Sequence, residues 1–176
     1  TETLQDMVQE ILTISKMEAS GFILKRADTD MAELFRIQLA DLTPLFEEKH
    51  MKMEVHLPES LRCSVDIALM EKVIRNILVN AVRYSPEGEE IYVRLLQEEN
   101  CVTGQVENFG VQIPPEKMDK IFDAFYRVDT SRNSRSGGSG LGLYIVREIL
   151  ELHEASYKIE NTASGVQFTF RLFSEK

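Results

Sequence analysis

Residues 108–139 are poor in regular pattern and rich in Gly, Ser, Pro and Arg, yet the chain around them is strongly periodic. A stretch of this length is too long for a simple connector. Inside a compact domain such stretches are usually lids or binding loops. The fold must therefore carry a long irregular segment between ordered elements, and function is to be sought along it.

The flanking elements read as follows. Residues 1–18 place Leu4, Met7, Val8, Ile11, Leu12, Ile14 and Met17 at helical spacing, and Gly21 follows as a stop. Residues 22–27 read as a short strand. Residues 30–49 read as a helix capped by Asp30, with Pro44 weakening its second half. Residues 51–57 alternate as a half-buried strand does, and 61–65 make another strand. Asp66 caps a long helix over 67–84, closed by the turn cluster Ser85-Pro86-Glu87-Gly88. Strands at 90–98 and 101–107 turn at Glu99-Asn100; a helix at 140–153 and strands at 156–161 and 165–173 complete the chain. No segment repeats. This order predicts a two-layer α/β sandwich, one mixed sheet with helices covering one face.

At 176 residues and 43% hydrophobic content, the chain can bury one ordinary core plus a short extra element. The expected division is 1–20 for that element and 21–176 for the domain. Acidic residues number 29 against 20 basic ones, a net charge of −9, which argues against nucleic acid as a partner. Cys63 and Cys101 form no CxxC pair, so zinc and thioredoxin-type chemistry have no support. No apolar run approaches the roughly 18–20 residues of a membrane span, so the chain as given is expected to be soluble and not to enter a membrane. It starts inside an apparent helix, which predicts a piece of a longer protein.

Four constellations carry chemistry. On the helix 67–84, Asn76, Asn80 and Arg83 are spaced by 4 and then 3 residues, hence on one face. They sit about a quarter turn from the centre of the apolar stripe Met70, Val73, Ile74, Ile77 and Ala81. Amides beside a core are costly unless bonded. Magnesium and phosphate oxygens would bond them; a solvated helix side is the alternative. Gly138, Gly140, Leu141 and Gly142 precede a helical run, and glycines there let backbone N–H groups approach phosphate. No GK[ST] follows and no strand leads in, so this is neither a Walker A loop nor a dinucleotide fingerprint. Asn108 and Gly110 stand where a strand enters a turn; Asn108 could read a base edge or simply make an Asx turn. Aromatics at Phe122, Phe125 and Tyr126 precede Arg127, Arg132 and Arg135, a set that could anchor a lid closing on phosphates or merely pin a loop.

In this order the four pieces resemble the catalytic and ATP-binding domain of sensor histidine kinases, of the superfamily shared with gyrase, Hsp90 and MutL. NILVNAVRYS looks like the N box, VENFGVQIP the first glycine box, FDAFYR the F box, GGSGLGLYIV the second glycine box and ENTASGVQF the terminal glycine motif. The likeness covers about 22–174. DMVQEILTISKMEASG is similar to the end of the helical dimerisation hairpin. Among these kinases the chain looks most like membrane sensors of Gram-positive bacteria, of the vancomycin-resistance or cell-envelope type.

The resemblance implies a Bergerat-type ATP-binding fold and assigns roles. Asn80 is the expected magnesium ligand, with Asn76 supporting the phosphates. Arg83 and Tyr84 are expected near the nucleotide, Asn108 at the adenine and Gly110 where the chain passes the base. Gly138, Gly140, Leu141 and Gly142 are expected to form the phosphate-side loop, and Arg127 and Arg132 to be lid contacts. The implied ligands are ATP and magnesium. The implied partners are the protein's own phosphoacceptor domain, in a homodimer, and a cognate response regulator. The implied place is the cytoplasmic part of a plasma-membrane sensor.

Gyrase-like ATPases carry a water-activating glutamate four residues before the magnesium asparagine. Here Asn76 stands there, and an amide cannot take the proton of water, which favours a kinase over an ATPase. None of His50, His56 and His153 lies in the setting of an acceptor histidine, so the acceptor is expected upstream of Thr1. Three departures from the pattern keep a weak-binding or non-catalytic module open: Asn108 in place of Asp, Gln112 in place of Gly, and Ala124 in place of Pro. Asn108 keeps an oxygen acceptor but no charge, which predicts modest affinity that Asp would raise.

Overall fold

The structure is a computed structural model and describes residues 4–128 and 138–174. Helix α1 spans Leu4–Glu18, strand β1 Arg26–Asp30, helix α2 Met31–Asp41 and helix α3 Thr43–Glu48. Strand β2 is Lys52–His56, β3 Arg62–Asp66, helix α4 Ile67–Tyr84, β4 Glu90–Gln97 and β5 Cys101–Phe109. A 3-10 helix, Pro115–Lys120, precedes helix α5, Gly142–Leu152, and strands β6, Ser156–Asn161, and β7, Gly165–Phe173.

Five strands form one sheet in the order β2-β4-β5-β7-β6, and β1 pairs with β3 in a separate two-stranded sheet. β2 and β4 run parallel; the other neighbours are antiparallel, so the sheet is mixed. Alternation decides its faces. Ile91, Val93 and Leu95 of β4 point to the core, while Arg94 between them is exposed. Against that inner face lie α2, α4 and α5. Phe35 of α2 stacks on Phe170 of β7 with centroids 6.4 Å apart, joining the layers. The expected sandwich is observed.

α4 forms because its apolar stripe has the helical period and its ends are capped. Asp66 accepts from Leu69 N–H at 3.2 Å, and Val73, Ile74 and Leu78 are at most 1% exposed. Each such burial contributes about 1.5–3 kcal/mol. The stripe locks the rotation of the helix, and so fixes where Asn76, Asn80 and Arg83 point.

Several boundaries differ from the sequence reading, β5 running on to Phe109 among them, and three have a plain physical cause. β1 begins at Arg26, because Phe22 and Leu24 pack on the core while Lys25 N–H goes to the Asp66 carboxylate at 3.0 Å. The helix expected over 30–49 is two helices meeting at Leu42, since Pro44 has no N–H to continue the first ladder. Asp30 does cap the first, accepting from Ala32 and Glu33 N–H. α5 starts at Gly142 because Gly140 has φ +76°, outside the helical region. Among the described residues, no helix is long and apolar enough to cross a membrane.

Candidate functional site

A cavity of about 330 Å³ lies between α4, the inner face of the sheet, the 3-10 helix and the start of α5. Its lining takes in most of what the sequence singled out: Asn80, Arg83, Tyr84, Asn108, Arg127 and the glycines 138, 140 and 142. Arg83, Lys117 and Arg127 bring positive charge, and Asn80, Asn108 and Gln112 bring amides. No carboxylate is among the described lining residues, a chemistry that suits a polyanion. Arg132 lies outside the described residues, as does Arg135.

One end is built on the sheet. Asn108 faces inward near the end of β5, opposite Ile91 on one side and Val166 on the other. It is 8% exposed, and its Nδ2 has no hydrogen-bond partner among the described residues. Beside it β7 approaches very closely: a Cβ on Gly165 would lie 2.8 Å from the Asn108 carbonyl carbon and from Phe109 Cα. The chain then turns at Gly110, whose φ of +80° is the left-handed region that favours glycine. Gly110 N–H donates to Ser164 O at 3.0 Å. Asn161 then holds Ile113 at both ends of its amide, accepting from Ile113 N–H and donating to Ile113 O, each at 2.8 Å. Gln112 Nε2 donates to Thr162 O at 2.7 Å. The Gln that replaces glycine thus ties its loop to the β6–β7 turn.

The other end is built from α4 and a glycine loop. Asn76 Nδ2 donates to Gly142 O at 3.3 Å, linking α4 to the first residue of α5. A Cβ on Gly142 would lie 4.0 Å from Asn80 Oδ1, so that oxygen faces the start of α5 at close range. Gly140 O accepts from Phe125 N–H at 3.0 Å, and a Cβ on Gly140 would meet the Phe125 carbonyl carbon at 2.7 Å. The Arg83 guanidinium lies against Gly138, where a Cβ would stand 2.8 Å from Cζ. These glycines keep a bare backbone beside the amides and cations, at a helix N-terminus whose dipole favours anions.

Three expected residues do not line the cavity: Leu141, Asn76 and Gly110, the last of which turns the chain after β5. Leu141 is 1% exposed, its side chain in the core, so only its backbone can serve a ligand there. Asn76 does not line the cavity and acts on it through Gly142. The sequence reading missed Lys117, which lines the cavity and donates to Val128 O at 2.6 Å, and gave no role to Asn161 or Gly165. Lys117 follows Pro114-Pro115 in a segment without period. Asn161 matters through its grip on Ile113 in the loop after β5, and Gly165 through pairing across the sheet.

None of the three histidines lines the cavity. His153 is buried at the end of α5. Its Nε2 accepts from Asp66 N–H at 3.0 Å and its Nδ1 donates to Ile149 O at 2.8 Å. Burial holds its pKa below the ordinary 6.5. His50 and His56 are paired with Glu87 and Glu54 at the surface.

Comparison with known proteins gives this cavity a context. The family model of histidine kinase-, DNA gyrase B-, and HSP90-like ATPases matches residues 65–176. The sensor histidine kinase CusS of Escherichia coli (strain K12) is 31% identical over 97% of this chain, which spans 38% of the relative's length. The catalytic domain of histidine kinase ThkA, solved free of nucleotide, superposes with a TM-score of 0.77 at 26% identity, over 85% of this chain and 96% of that one. Full-length ShkA in complex with AMPPNP shares the fold with a TM-score of 0.82 at 22% identity, over 98% of this chain and 36% of that one. Since the family model covers more than half of its residues, the chain belongs to the histidine kinase-, DNA gyrase B- and HSP90-like ATPase family, in which CusS is a sensor histidine kinase and ThkA a histidine kinase.

Proposed function

We propose that this chain binds Mg-ATP in the cavity, adenine toward Asn108 and phosphates toward the glycine loop, and offers the γ-phosphoryl group to a histidine supplied by a helical hairpin. The observation that carries this is the meeting of Asn80 Oδ1 with the start of α5 inside a cavity lined by cations and amides without a carboxylate. Magnesium is held commonly by one or two protein oxygens and the phosphates themselves. Asn80 Oδ1, facing the start of α5, is the oxygen placed to serve as such a ligand. When bound, magnesium would neutralise phosphate charge.

The chain's own residues do the rest. Asn76 holds Gly142 so that the α5 N–H groups stay aimed at the phosphates. Arg83 and Arg127 add fixed positive charge, with Arg132 expected from the lid. Tyr84 flanks the nucleotide, and Gly110 lets the backbone pass the base. Gly138, Gly140, the backbone of Leu141 and Gly142 form the cradle. With an amide at 76 and no carboxylate among the described lining residues, water is left without a base and the phosphoryl group is kept for a protein acceptor.

Residues 1–20 are assigned to the end of a dimerisation and phosphoacceptor helix, and 21–176 to the catalytic unit. Exposed Leu4, Val8, Ile11 and Leu12 on α1 support a helix that packs in a hairpin and homodimer. Relay to a response-regulator aspartate, and attachment to a plasma-membrane sensor of the vancomycin-resistance or cell-envelope type with this part in the cytoplasm, complete the reading. The test is transfer: protein extended upstream to include the hairpin should take label from γ-labelled ATP on an acid-labile site, and Asn80→Ala should remove it. Steady rapid phosphate release by this chain alone would instead support an ATPase.

A further inference from the structure

Asn108 sits at the base end with a buried donor that nothing satisfies. The residue is 8% exposed and lines the cavity, and its Nδ2 has no partner among the described residues. Its neighbours across the sheet, Ile91 and Val166, are apolar, and so are Val106 and Phe168 on the same wall. A buried unpaired donor is costly, and the cost is relieved only by an acceptor arriving in the cavity.

An amide presents one acceptor and one donor side by side. A 6-aminopurine presents the complement on either edge of its 6-amino group: an N–H donor next to a ring nitrogen acceptor, N1 on one side and N7 on the other. We propose that Asn108 reads the base with both atoms, its Oδ1 accepting from the 6-amino group and its Nδ2 donating to the adjacent ring nitrogen. This rests on the Mg-ATP reading above. A carboxylate could accept from the amino group but would set a lone pair against the ring nitrogen. The expectation that a carboxylate at position 108 tightens binding is therefore reversed. The substitution Asn108→Asp would also place a charge on an apolar wall where no partner meets it.

The test pairs a change in the protein with a change of one ligand atom. ATP, 1-deaza-ATP and 7-deaza-ATP, each with magnesium, are titrated calorimetrically into the chain and into its Asn108→Asp and Asn108→Leu variants. Each deaza analogue replaces one ring nitrogen by C–H. The wild-type chain should bind one of the two about tenfold more weakly than ATP, the worth of one hydrogen bond. In both variants that ratio should fall to near one, and Asn108→Asp should bind ATP more weakly than wild type. Two results overturn the proposal: deaza analogues that bind the wild type as well as ATP does, or a tenfold ratio that persists in the variants. Failure of the wild type to bind ATP at all would sink the Mg-ATP reading itself, which is a separate outcome. Melting curves of the variants without nucleotide show whether they fold.

Discussion

The two ends of the cavity present similar chemistry on different supports. At the end proposed for the base, Asn108 belongs to β5 and is flanked on both sides by paired strands, with Gly165 brought against its carbonyl. Nothing there can shift without breaking a ladder. At the end proposed for the phosphates, the glycines at 138, 140 and 142 lean on side chains of α4 and on the backbone at Phe125, across loop rather than sheet. One hydrogen bond, Asn76 to Gly142, joins that loop to α4. A third tie reaches it from α1: Ser139 Oγ donates to Glu10 at 2.7 Å and accepts from Leu141 N–H at 3.1 Å. In the proposed orientation of ATP, base recognition is set by the fold, while the phosphate cradle answers to neighbouring elements, α1 among them.

The largest test of this contrast uses added side chains. Gly165→Val should cost about 3 kcal/mol in urea unfolding, since the new Cβ meets strand backbone that cannot yield. Gly140→Ala should cost about 1–2 kcal/mol, the strain of a non-glycine residue at φ +76°, because its loop can give. Equal costs would break the comparison.

These two glycines also show what the sequence could and could not reveal. Asn76, Asn80 and Arg83 were legible because the apolar stripe of α4 fixes the helix rotation, so their face followed from spacing alone. The glycine loop was legible because Gly at 138, 140 and 142 precedes an amphipathic helix. Gly165 was not, for its role depends on the register of β7 against β5, which no local pattern encodes. The reach of Gln112 to Thr162 and the grip of Asn161 on Ile113 are likewise long-range. The short strand read over 22–27 was misplaced, because Phe22 and Leu24 pack on the core and strand pairing begins only at Arg26.

A middle-sized effect is expected at the far end of α5. His153 pins it to the β3–α4 junction through Asp66 N–H. His153→Leu leaves that buried donor unpaired and should cost about 2 kcal/mol. The pH dependence has a definite sign. Burial lowers the folded-state pKa below 6.5, so the unfolded chain takes up the proton first. The contribution of His153 is whole above about pH 6.5 and is lost as the pH falls from there toward the folded-state pKa. Urea midpoints measured across that window should fall more steeply for wild type than for His153→Leu.

The smallest effect sharpens the link to α1. Ser139→Ala removes an acceptor from Leu141 N–H and a donor to Glu10, and should cost about 1 kcal/mol. Hydrogen exchange should quicken at Leu141 and stay unchanged at Val106 in β5. Equal quickening at both would show that the two ends are one unit.

The most direct test of the account is a calorimetric titration of wild type and Asn80→Ala with ATP, in magnesium and in excess chelator. Wild type is predicted to bind at least about tenfold more tightly with magnesium, and Asn80→Ala to bind equally weakly in both, the base end still engaged. A magnesium dependence that survives intact in Asn80→Ala would contradict it.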